Sequence, residues 1–101
     1  MKECCKKYLD EQFGDDDVVK EIYDEYASSA HEKIAEAGAA LAAGDWTTLD
    51  RVAHTLKGNA LAAGDEDLAN TAIELRKAAT LNDASGAAAL HGRLKELEAL
   101  L

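Results

Sequence analysis

The chain has 101 residues, enough for one hydrophobic core and too few for two, so a single domain over residues 1–101 is expected. Aromatic residues make up 5 %, proline is absent, and no β-branched run bounded by turn residues is visible, which argues against a sheet and for helices. The formal charge of −9, from 20 acidic and 11 basic side chains, repels phosphate backbones and anionic lipid, so neither nucleic acid nor a membrane is expected as a partner.

The first segment, residues 1–14, is predicted to form a short helical extension that ends at Gly14, just before three aspartates. It lacks the apolar run of a signal peptide, and no later stretch approaches the roughly 20 apolar residues that cross a bilayer. Because the chain also begins with Met1, we expect a free-standing cytoplasmic protein. The adjacent Cys4 and Cys5 are expected to be reduced thiols, since Cα atoms only about 3.8 Å apart would strain a disulfide.

Three further turn signals divide the rest of the chain into four helical segments. Gly44-Asp45 and Gly64-Asp65 each pair a helix-ending glycine with a residue able to cap the next helix, and residues 82–86 form the last break. Between the breaks, apolar residues recur every three or four positions, as in bundled helices. The predicted helices span 17–43, 46–63, 66–81 and 85–101. Short connections predict an all-α fold, an antiparallel up-down-up-down four-helix bundle with a short extra N-terminal helix.

The predicted second helix of the bundle carries His54 away from its buried stripe. At about 100° per residue, that stripe runs through Leu49, Ala53, Leu56 and Ala60, so His54 should be at least partly exposed. A neutral imidazole attacks phosphorus through Nε2 when Nδ1 carries the proton. The position and the residue type are therefore compatible with a nucleophilic site.

Three neighbours of His54 suit phosphoryl chemistry. Lys57, one turn on, can place an ammonium beside phosphoryl oxygens, and Arg51 adds positive charge at the margin of the same face. Gly58 leaves bare backbone where a partner could approach, although glycine inside a helix costs about 1 kcal/mol against alanine. These residues alone fit either a functional site or an ordinary surface histidine.

The run from Ala53 to Gly58, with Gly64 closing the helix, resembles the signature of histidine phosphotransfer (HPt) domains of two-component phosphorelays. That signature is His, any residue, Leu-Lys-Gly, and then a helix-ending glycine. Residues 39–46 resemble the family's sequence in the segment that leads into this helix. The predicted third helix of the bundle, residues 66–81, resembles the third helix of the family at Leu68-Ala69, Leu75 and Ala78-Ala79. The likeness covers roughly residues 18–101.

The resemblance implies that His54 is phosphorylated, that Lys57 stabilises the phosphoryl group and that Gly58 grants access to partners. It implies a phosphorelay intermediate that exchanges the group reversibly with aspartates of receiver domains. Expected partners are response-regulator receiver domains, hybrid sensor histidine kinases, or both. A carrier of this kind is not an enzyme: it has no ATP-binding site or kinase activity of its own. No cofactor is expected on this chain, since the receiver would bring Mg²⁺.

The chain departs from the family pattern at two positions. Asn59 stands where serine is common. Arg76 stands where the family often has glutamine or glutamate, which can hold the imidazole, whereas arginine cannot accept a proton from Nδ1. Either another group orients His54, or Arg76 supplies a second cation to the phosphoryl group.

Three other interpretations are compatible with parts of the sequence. A non-phosphorylated HPt-like module could sequester a receiver or kinase by binding alone. A metal bundle would need inward Glu-x-x-His pairs, but none of the histidines has a glutamate three residues before it, and His31 and His91 are predicted to be ordinary surface or boundary residues. A structural or oligomerising bundle is the third, although a monomer is expected.

Overall fold

A computed structural model describes all residues, 1–101, and contains five α-helices and no strand. The helices are α1 (Glu3–Phe13), α2 (Asp16–Ala43), α3 (Trp46–Ala63), α4 (Glu66–Thr80) and α5 (Ala84–Glu98). The prediction of an all-α four-helix bundle with a short extra N-terminal helix is confirmed.

None of the five helices is both long and apolar enough to cross a membrane.

The four bundle helices begin and end on local signals. Each begins after an aspartate whose carboxylate accepts a backbone N–H of the first turn, and these caps are Asp15, Asp45, Asp65 and Asp83. Gly44 and Gly64 end α2 and α3 with φ of +67° and +76°, a left-handed conformation that favours glycine. Because each glycine directly precedes a capping aspartate, the connections are only two residues long, and consecutive helices run antiparallel.

The helices close into a ring in which α3 packs between α2 and α4, and α5 packs between α4 and α2. The stripe predicted on α3, through Leu49, Ala53, Leu56 and Ala60, is buried in the core. This burial turns the opposite face of α3, which carries His54, towards solvent at the edge shared with α4.

The first helix, α1, is fixed to one end of the bundle by a buried ion pair. The Nζ of Lys2 lies 2.9 Å from each carboxylate oxygen of Asp65, which is fully buried and also accepts the Tyr26 hydroxyl at 2.8 Å. Burial and the neighbouring Asp65 raise the pKa of Tyr26, so its phenol stays protonated. Asp65, predicted only as a helix cap, therefore also holds the N-terminal segment.

The two cysteines lie on α1, with sulfur atoms 4.0 Å apart, and are free thiols. Cys5 is fully buried between α1 and the bundle, whereas Cys4 is exposed. Burial, with the charge of Cys4 and Asp65 nearby, raises the pKa of the Cys5 thiol to about 12. Cys5 therefore stays protonated and acts as a core residue rather than a nucleophile.

Candidate functional site

His54 lies near the middle of α3 and its side chain is exposed, as its position off the buried stripe predicted. The cap at Asp45 sets the start of α3, and the core stripe sets its rotation. These two local features direct His54 to the edge of the bundle, where α4 is the neighbouring helix.

Arg76, from α4, is in direct contact with the imidazole. Its Nη1 lies 3.0 Å from His54 Nδ1, and its Nε donates to Asp50 Oδ1 at 3.1 Å. Asp50 precedes His54 by four residues, so both side chains project from the same face of α3. The Arg76 guanidinium, on α4, therefore links Asp50 and His54 on α3. The Arg76 side chain remains 36 % exposed.

Beside this contact, an open groove runs between α3 and α4. Asp50, Lys57 and Arg76 line it, together with Ile73, Lys77, Thr80 and Leu81. Three of these side chains are cationic and one is anionic, in a chain whose net charge is −9, although Lys77 also pairs with Glu74 at 3.1 Å. The groove is thus a local site of positive charge, suited to an anionic group such as a phosphoryl.

Gly58 presents open backbone next to this groove. A Cβ built there would meet no atom within 4 Å, so packing inside the chain does not require glycine at this position. Gly92, on α5, is equally open. Because glycine weakens a helix, its presence at Gly58 calls for a reason outside the chain, and room for a partner is one.

Arg51, one turn before His54 on α3, does not line the groove. It is exposed and makes no hydrogen bond to His54. Hydrogen bonds from the Thr48 hydroxyl and backbone N–H lower the pKa of Asp45, and the charge of Arg51 adds a smaller effect in the same direction. The structure thus brings His54 and Arg76 into contact and places Arg76 with Lys57 along the groove, whereas Arg51 makes no hydrogen bond to any of the three.

Sequence reasoning assigned no role to two residues of this edge, Asp50 and Lys77. Asp50 had a signal that could have found it, since it lies one turn before His54 and its carboxylate can anchor a cation from the next helix. Lys77 follows Arg76 directly, but no pattern in α4 alone shows that both side chains line the same groove.

A comparison with protein-family models matches residues 21–101 to the Hpt domain. The chain belongs to this family. The match begins within α2 and leaves α1 outside. Searches of curated proteins and of solved structures give no significant match.

The other two histidines of this Hpt domain make contacts between helices. His31 Nδ1 lies 2.8 Å from a carboxylate oxygen of Glu98, and His91 Nε2 donates to the Ile34 carbonyl at 3.1 Å. Gly38 accommodates the His91 ring, since a Cβ there would lie 3.0 Å from it. Both histidines have structural partners away from the groove, so His54 is the one histidine beside the cationic groove.

Proposed function

We propose that this Hpt domain is a phosphorelay intermediate that carries a phosphoryl group on His54. It exchanges the group reversibly with aspartates of receiver domains. The observation that carries the proposal is an exposed imidazole on α3, in contact with a cation and beside both a cationic groove and open helix backbone. Membership of the Hpt family, whose domains serve histidine phosphotransfer in two-component phosphorelays, supports it.

The chemistry proposed for the site is nucleophilic transfer with electrostatic support. His54 supplies the attacking nitrogen, and Lys57, which lines the groove and is half-buried, offsets charge on the phosphoryl oxygens. Arg76 contacts the imidazole itself, at Nδ1. The Mg²⁺ and the acidic pocket belong to the receiver in this proposal, so the Hpt domain itself uses no cofactor.

Receivers are proposed to dock on the surface that continues from His54 along α3. Leu61, two turns beyond His54, is 51 % exposed, and Ala62 beside it is exposed as well. Asn59 reaches across to α2, where its amide donates to the Ser29 hydroxyl at 3.1 Å. This surface of small, apolar and uncharged polar side chains can lie flat against a partner while His54 enters the partner's pocket.

To test the proposal, the purified protein is mixed with the phosphorylated receiver domains of its organism, at the pH and ionic strength of a cytoplasm. At least one receiver is expected to lose its label to this chain, and the label on the chain is expected to be acid-labile and base-stable, as phosphohistidine is. ATP alone should give no labelling, since Hpt domains are carriers rather than enzymes. Stable receiver binding with no label on this chain would instead establish the binding-only alternative.

A glycine substitution tests partner access separately from folding. Gly58→Leu is expected to slow transfer strongly, because its side chain would fill the space left for the receiver, while the isolated fold tolerates it. Gly58→Ala should slow transfer less and stabilise α3 by up to about 1 kcal/mol. Transfer rates and urea unfolding measure the two effects.

Gly92→Leu is the matched control for Gly58→Leu, because Gly92 is equally open but lies on α5. It should leave the transfer rate as in the wild type. Equal rates for Gly58→Leu and Gly92→Leu would show that the open backbone beside His54 has no part in docking.

A further inference from the structure

The contact between Arg76 and His54 determines where the imidazole proton lies. The guanidinium carries five N–H donors, has no acceptor and stays charged, so at 3.0 Å it can only donate to Nδ1. Nδ1 must therefore contribute its lone pair, and the single proton of the neutral ring lies on Nε2. A doubly protonated ring would set one N–H against another and place two cations in contact.

No other side chain at this edge favours the opposite tautomer. A proton on Nδ1 would need an acceptor, but the one carboxylate in the groove, that of Asp50, accepts from Arg76 Nε at 3.1 Å and makes no hydrogen bond to the imidazole. Lys57 and Lys77, the remaining charged groups of the groove, only donate. Asp50 thus fixes the position of the guanidinium through its Nε, and the guanidinium in turn fixes the imidazole through Nη1.

We propose that Arg76 is a positioning residue that keeps His54 in the Nε2–H tautomer, which cannot accept a phosphoryl group, until a docked partner draws the guanidinium away. The inference rests on the proposed function and adds that Arg76 controls when His54 can accept the phosphoryl group. Attack on phosphorus needs a lone pair at Nε2, and in this tautomer Nε2 carries the proton instead. The Nδ1 lone pair is no substitute, because Arg76 occupies it.

A docked phosphorylated receiver supplies the charge that releases this control. Its phosphoryl oxygens attract the guanidinium from Nδ1, and the ring takes the Nδ1–H tautomer. The Nε2 lone pair then forms the N–P bond while the P–O electron pair returns to the receiver's aspartate, and Nδ1 loses its proton to solvent. The neutral phosphohistidine again has a lone pair on Nδ1, so Arg76 can return to it and oppose the protonation that would make the ring a better leaving group.

The tautomer is measured without any phosphoryl transfer. In ¹⁵N NMR of the unphosphorylated protein with labelled histidine, His54 is expected as the Nε2–H tautomer. In Arg76→Gln, the amide oxygen can accept a hydrogen bond from Nδ1–H, and the Nδ1–H tautomer should predominate. Lys77→Gln removes the same charge from the same groove without touching the ring, so it should keep the wild-type tautomer. An unchanged tautomer in Arg76→Gln overturns the proposal.

The rate of transfer is then compared among the same three proteins. Arg76→Gln is expected to take up phosphate from a phosphorylated receiver about tenfold faster and to lose it to water faster, since a hydrogen bond from a charged donor shifts an equilibrium by at least that factor. Lys77→Gln should bring no acceleration. If the wild type carries phosphate and Arg76→Gln is no faster, the control by Arg76 is refuted while the carrier function stands. If no variant carries phosphate, the proposed function itself is refuted, whatever the tautomer.

Discussion

Replacing His54 with glutamine is expected to reduce phosphoryl uptake from every receiver to background. Glutamine retains an oxygen that can accept from Arg76, so the groove keeps its arrangement, but an amide nitrogen is no nucleophile. The fold should be unaffected, because the His54 side chain is exposed and contributes nothing to the core. Acid-labile, base-stable label on the chain measures the loss, and circular dichroism verifies that the helices are intact.

His31→Gln is the matched control for this substitution. His31 is also an exposed histidine, with a side chain 52 % accessible, but it lies on α2 and pairs with Glu98 away from the groove. It should carry phosphate at the wild-type rate. Label retained by His54→Gln, or lost equally by His31→Gln, would contradict the assignment of His54 as the phosphorylated residue.

Replacing Lys2 with methionine is expected to destabilise the protein by about 3 kcal/mol, the largest effect on stability that we predict. The change leaves the Asp65 carboxylate charged in a fully buried position, with only the Tyr26 hydroxyl and a backbone N–H of the α4 cap to compensate it. Breaking a buried ion pair by removing one partner costs several kcal/mol because the other charge stays desolvated. Urea unfolding at neutral pH measures the free energy of unfolding.

Lys6→Met removes a lysine from α1, four residues after Lys2, and serves as the control. Lys6 pairs with Asp10 at 2.7 Å, but both side chains are well exposed, at 57 % and 37 %. Water compensates both charges there, so the free energy of unfolding should hardly change. Equal destabilisation by Lys2→Met and Lys6→Met would show that the buried pair with Asp65 does not hold α1 in place.

Local patterns in the sequence were sufficient for the all-helical fold and for the exposure of His54. Glycine followed by aspartate, at residues 44–45 and 64–65, marks where one helix ends and the next begins, because left-handed backbone and side-chain capping are properties of a few neighbouring residues. The apolar period of α3 likewise predicts which face is buried. An exposed His54 follows from that period alone.

Contacts between distant residues could not be read from these patterns. Arg76 is 22 positions from His54 in the chain and 26 positions from Asp50. Lys2 and Asp65 are separated by 63 positions. Whether such side chains meet depends on how the helices are rotated and staggered against one another, and helical periodicity does not specify the stagger. The sequence by itself therefore determined that His54 is presented to solvent. Only the tertiary structure decided that Arg76 donates to its Nδ1, because that contact depends on the packing of α4 against α3.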